Sequence, residues 1–220
     1  TWSYAVDIDA VESAATNDDA KLTLTTPQGT IGIFLGEGGL GVDNAASQSV
    51  ISRPSDTAFA ELMYDTYDID GYDNIQYHTP AGLLPYGITA KIGYAPSGNA
   101  TDGGDYASTG SENSGTAANT ETTAAGGLTI TAGGTSVTHY QVKANEIPML
   151  DGLEIGADYL TFDNVSGAVD QKPESGAYYA KFSAGPAVIG YSKNFAAFPV
   201  NLISADRVES VENTKYSISF

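Results

Sequence analysis

Apolar and polar residues alternate along this chain with a period of two, in segment after segment. Trp2, Tyr4, Val6 and Ile8 share one parity, while Ser3, Ala5, Asp7 and Asp9 take the other. Successive side chains of a β-strand point to opposite faces, so such alternation specifies a strand with one apolar and one polar face. The pattern recurs at Leu22/Leu24, Ile31/Ile33/Leu35, Ile88/Ala90/Ile92/Tyr94 and Tyr140/Val142. It returns at Leu153/Ile155/Ala157/Tyr159, Tyr178/Ala180/Phe182 and Tyr216/Ile218/Phe220. About ten such segments are present, most of roughly 7–11 residues.

The connections between them alternate in length. Thr26–Gly29, Ala81–Gly87, Ile147–Gly152 and Gly185–Ala187 are short and carry the Gly or Pro of tight turns. Val11–Ala20, Gly36–Tyr72, Pro96 to about Ala132, Val165–Gly176 and Phe195–Glu212 are long. Short turns on one rim and long loops on the other are the signature of an up-and-down barrel in a membrane. Trp2, Tyr4, Tyr94, Tyr140, Tyr159, Tyr178, Tyr191 and Tyr216 stand near segment ends, where aromatic girdles form. A soluble β-sandwich is the competing architecture. The segment length, and the Asp, Thr, Ser, Gly and Lys on the second face, favour the barrel. The expectation is one all-β domain over 1–220: a transmembrane antiparallel up-and-down β-barrel.

Composition narrows the function. With 9 Lys and Arg against 27 Asp and Glu, the net charge of −18 argues against nucleic-acid binding, which needs clustered cations. It argues equally against a basic patch on anionic lipid headgroups. The chain has no cysteine, which removes disulfides, thiol catalysis and Cys-ligated metals. Its 10% aromatic content is unlike that of an acidic disordered chain. No apolar run approaches the ~18 residues of a membrane helix. No Gly-x-Ser-x-Gly elbow occurs, Gly36–Gly39 lacks the Lys of a phosphate loop, and carboxylates are too many for spacing to single out a catalytic pair.

Two connections stand apart. Within 36–72, Ser55–Asp65 reads as a short helix, capped by Ser55, with Asp56 in its first turn and Phe59, Leu62 and Met63 as an apolar stripe. The segment 97–127 is almost entirely Gly, Ser, Thr, Ala and Asn, which reads as a flexible outer loop, an interdomain linker being the alternative.

Tyr72–Pro80 (YDNIQYHTP), a Gly/Leu turn and Gly87–Pro96 (GITAKIGYAP) resemble the strand–turn–strand that follows the constriction loop in the Gram-negative general porin family. Lys21–Thr25 and Gly29–Gly36 (GTIGIFLG) resemble the hairpin before that loop, and the chain's overall tone is similar to porins of marine alphaproteobacteria. The resemblance implies a homotrimer of water-filled barrels, usually 16-stranded, in the outer membrane. It implies contact with lipid and lipopolysaccharide, passive passage of small hydrophilic solutes and ions, no cofactor, no metal and no catalysis. It makes 36–72 the inward-folded constriction loop. Asp56, Glu61, Asp65, Asp68 and Asp70 become its acidic side, facing Lys91, Lys143 and Lys181 on the wall. Ten strands against sixteen imply that the sequence is an internal stretch of a longer porin; Tyr216–Phe220 also fits the Phe-ended terminal strand of a ten-stranded barrel. The acid excess implies weak cation selectivity.

Two other classes remain open. An acidic β-rich surface-layer or adhesin module would bind calcium, though Asp7/Asp9 and Asp68/Asp70 lack an EF-hand's closing Glu. An outer-membrane barrel enzyme would need His78 or His139 beside a Ser or Asp on an adjacent strand.

Overall fold

The computed structural model describes residues 1–6, 20–35, 69, 73–96, 136–163, 174–197 and 210–220. They form ten strands: β1 (Trp2–Val6), β2 (Ala20–Thr26), β3 (Gly29–Leu35), β4 (Asn74–His78), β5 (Thr89–Ala95), β6 (Ser136–Ala144), β7 (Leu153–Asp163), β8 (Glu174–Ala184), β9 (Ala187–Ala197) and β10 (Ser210–Ser219). Each strand pairs antiparallel with its neighbour in sequence, giving one sheet in the order β1 to β10. Among the described residues no ladder joins β1 to β10, so these two strands are the sheet's edges.

Turn chemistry sets the registers. Pro27 and Gln28 alone separate β2 from β3, and Gly185 and Pro186 alone separate β8 from β9. Gly185 adopts φ 61°, a left-handed conformation that costs little without a Cβ. The β4–β5 connection holds a 3-10 turn, Pro85–Gly87, and the β6–β7 connection turns at Gly152. All four short connections lie on one rim. Every connection on the other rim runs mainly through residues outside those described.

The two faces have opposite character. Trp2, Tyr4, Leu22, Leu24, Ile31, Ile33, Ile75, Ile92, Tyr94, Tyr140, Val142, Ile155, Tyr159, Tyr178, Phe182, Ile189, Tyr216 and Ile218 share one face and are exposed. The other face, termed inner below, buries Asn74, Gln76, His139, Gln141, Asp158, Ser192 and Asn194. A soluble protein puts its large apolar side chains in the core; this sheet does the reverse over most of its area.

The exception is at the long-connection rim. Phe34, Ala95, Val137, Leu160 and Phe162 are inner residues exposed by 1% or less, and Ile69 is equally buried. The alternation changes phase there. On β7 the apolar residues are Leu153, Ile155, Ala157 and Tyr159 on the outer parity, then Leu160 and Phe162 on the inner one. β6 and β7 stay within the expected bounds despite the slip, while β8 starts at Glu174, β9 reaches Ala197 and β10 starts at Ser210, each about two residues into the expected connections.

Candidate functional site

The inner face presents a row of lysines toward the short-turn rim. Lys91 on β5 pairs with Gln141 on β6. Lys143 lies two residues further along β6, opposite Gly156 on β7. Glu154 lies two residues beyond Gly156 and pairs with Lys181 on β8. The row descends across the strands, so Lys91, Lys143 and Lys181 form one inclined band with Glu154 among them. Lys181 Nζ is 3.4 Å from Glu154 Oε1, both about one-third exposed. The hydroxyl of Tyr179 donates to the same carboxylate oxygen at 2.7 Å. Tyr179 reaches it because Gly156 has no side chain, which lets the ring lie across β7.

Toward the other rim the row gives way to buried polar groups. His139 Nε2 is 3.4 Å from Asp158 Oδ2 across β6 and β7, and both side chains are fully buried. His139 Nδ1 has no hydrogen-bond partner among the described residues. The pair joins adjacent strands, one part of what the barrel-enzyme alternative requires, and lies in the buried part of the inner face.

On β4 the inner positions form a hydrogen-bonded line. His78 Nε2 lies 3.2 Å from Gln76 Oε1. Gln76 Nε2 donates to Asn74 Oδ1 at 2.9 Å, and Asn74 Nδ2 donates to the carbonyl of Ile69 at 3.3 Å. Ile69 also fills the space above Gly93, where a Cβ would stand 2.9 Å from its Cδ1. The described end of the 36–72 connection is thus seated on the inner face.

The outer face is ordered by its tyrosines. Ile92, Tyr140, Tyr159, Gly176, Phe195 and Glu212 form one rung through successive ladders. Tyr94 lies two residues above this rung, Tyr178 two below, and Tyr191 and Tyr216 four below. The tyrosine line thus falls six residues over five strand spacings. At ~3.4 Å per residue and ~4.8 Å between strands, it is inclined by about 40° to the direction perpendicular to the strands. Below it the outer positions are mostly apolar; above it stand Asp163, Glu174 and Glu212. Lys193, opposite Tyr178, stands just above the line. Lys193 Nζ is 2.8 Å from Glu212 Oε2, and the hydroxyl of Tyr159 donates to Glu174. Of the six described lysines, Lys21, Lys91, Lys143, Lys181 and Lys215 point inward and Lys193 alone points outward.

The inclined lysine row was legible in part. Parity placed Lys91, Lys143, Lys181, Glu154 and Asp158 on one face, but not the Glu154–Lys181 contact or the Ile69 seat, which depend on register. Asp56, Glu61, Asp65, Asp68 and Asp70 lie outside the described residues, as do the Ser55–Asp65 helix, the 97–127 segment and the Asp7/Asp9 pair. Among the described residues no cluster of His, Asp and Glu is arranged to hold a metal ion. They carry six lysines and eight acids, −2 of the −18 total. No known protein-family model matches the chain, and no curated protein matches it.

Proposed function

We propose that this sheet is wall of an outer-membrane diffusion porin, whose inner face lines a water-filled channel for small hydrophilic solutes and ions. One observation carries the reading: large apolar side chains face outward while polar and charged ones face inward, with the apolar band edged by a tyrosine line inclined by about 40°. Strands of membrane barrels tilt by ~35–45° and carry an aromatic girdle at the interface. Strands cross a bilayer only in a closed wall, because lipid offers no partner to a free backbone edge. In the membrane the edges at β1 and β10 are therefore paired.

Selection follows from width and lining charge. Lys91, Lys143 and Lys181 supply the basic side. The acidic side, Asp56, Glu61, Asp65, Asp68 and Asp70 of the 36–72 connection, rests on the family resemblance, and Ile69 of that connection, seated over Gly93, is compatible with it. The acid excess of the long connections favours cations at that rim. A homotrimeric assembly among lipid and lipopolysaccharide rests on the family resemblance. Conductance of the purified protein in a planar bilayer under a salt gradient tests the reading. Stepwise conductance with a cation-selective reversal potential is expected; no steps from folded protein would overturn it, in favour of the acidic surface module.

A further inference from the structure

The line of side chains on β4 has a fixed direction. The carbonyl of Ile69 can only accept, so the atom of Asn74 that faces it at 3.3 Å is the amide nitrogen. That leaves Asn74 Oδ1 toward Gln76, whose own nitrogen donates to it at 2.9 Å. Gln76 Oε1 is then the atom facing His78, so the 3.2 Å contact requires the hydrogen on His78 Nε2. One backbone carbonyl thereby orients two amides and selects one imidazole tautomer. No link can turn over alone, because reversal would set two acceptors or two donors face to face. Asn74 and Gln76 are exposed by 2% or less, which keeps water from standing in for a lost link, and His78 is half-buried.

The two ends of the line lie in different parts of the wall. His78 is the ladder partner of Lys91, the first residue of the inclined lysine row. Ile69 sits over Gly93, which pairs with Gln76 on one side and His139 on the other. Gln76 Cγ lies 3.5 Å from where a Gly93 Cβ would stand, so the same side chain carries the line and walls the seat.

We propose that His78 is a positioning residue for Ile69. Its Nε2–H, relayed through Gln76 and Asn74, holds the Ile69 carbonyl in place, and with it the end of the 36–72 connection beside the lysine row. As a determinant of channel width the inference rests on the porin reading above; as a relay it stands on the hydrogen bonds alone. Removing the His78 donor takes an accepted hydrogen bond from Gln76 Oε1 in a buried setting. The amide can then turn toward another donor and leave Asn74.

The chain has no cysteine, so Ile69→Cys places a single reporter thiol in the seat. The test is the rate at which a small water-soluble methanethiosulfonate modifies it in the detergent-purified protein. Adding His78→Leu should speed modification about two- to fivefold, within the worth of one net hydrogen bond. His78→Gln, which keeps an N–H donor, should return it to the starting rate. Asn74→Asp still accepts from Gln76 but has no hydrogen for the Ile69 carbonyl, and should speed modification about tenfold. Ser192→Cys, as buried and four strands from β5, reports general loosening and should keep its rate in every background. An unchanged rate with His78→Leu, failure of His78→Gln to restore it, or an equal rise at Ser192→Cys overturns the relay. Conductance of the same preparations keeps the two questions apart. Faster modification in a protein that does not conduct upholds the relay and sinks the channel reading; a conducting protein with an unchanged rate sinks only the relay.

Discussion

Tyr179 lies flat across Gly156, its Cζ 2.8 Å from where a Cβ on that glycine would stand. The close approach carries the hydroxyl to Glu154, which also holds Lys181. Gly156→Val should push the ring off β7 and break that contact. Overpacking of this kind costs about 1–3 kcal/mol. Urea unfolding in lipid vesicles should show that loss, and Tyr179→Ala in the Gly156→Val background should recover part of it.

The His139–Asp158 pair makes a second prediction. Removing one member of a buried hydrogen-bonding pair takes a partner from the other and costs ~1–3 kcal/mol, whereas replacing both with apolar groups is far milder. His139→Leu should therefore destabilise more than His139→Leu/Asp158→Leu. Equilibrium unfolding of both variants checks the order; the reverse order would mean that the contact between the two side chains contributes little.

The two faces should answer differently to the same substitution. Ile155 is an outer residue within the apolar band, and Thr23 is an inner one. A lysine on the lipid face near the bilayer midplane costs about 2–4 kcal/mol. Ile155→Lys should lose that much in vesicles, and Thr23→Lys should change stability by less than ~0.5 kcal/mol, as at a watered site. Equal effects would contradict the assignment of lipid and lumen faces.

The lysine row should govern ion preference. Changing Lys91, Lys143 and Lys181 together to Gln removes three positive charges from one inclined band. The cation-to-anion permeability ratio should rise by roughly twofold or more, read from the reversal potential. Lys193→Gln, on the outer face, should leave that ratio unchanged.

Most of the strands were legible because each separates two environments, which a period of two records directly. The period of two weakens where the environments exchange. At the top of β7, Leu160 and Phe162 face inward beside the outward Thr161 and Asp163, so the apolar alternation slips phase after Tyr159. Val137 does the same at the start of β6. The Ile69 seat left no local signal, since Gly93 is an ordinary strand glycine until register brings Ile69 over it. The lysine row was visible as residues sharing a face, but its inclination required the ladders.

Because every ladder joins strands that are neighbours in sequence, each hairpin is a self-contained module. Removing or duplicating one would leave the next strand running in the same direction with its parity intact. A lineage could thus widen or narrow such a wall two strands at a time without redesigning the remaining seams. Variation in strand number is open to evolution through gene-level copying of hairpins, while the facing rule of each strand stays untouched.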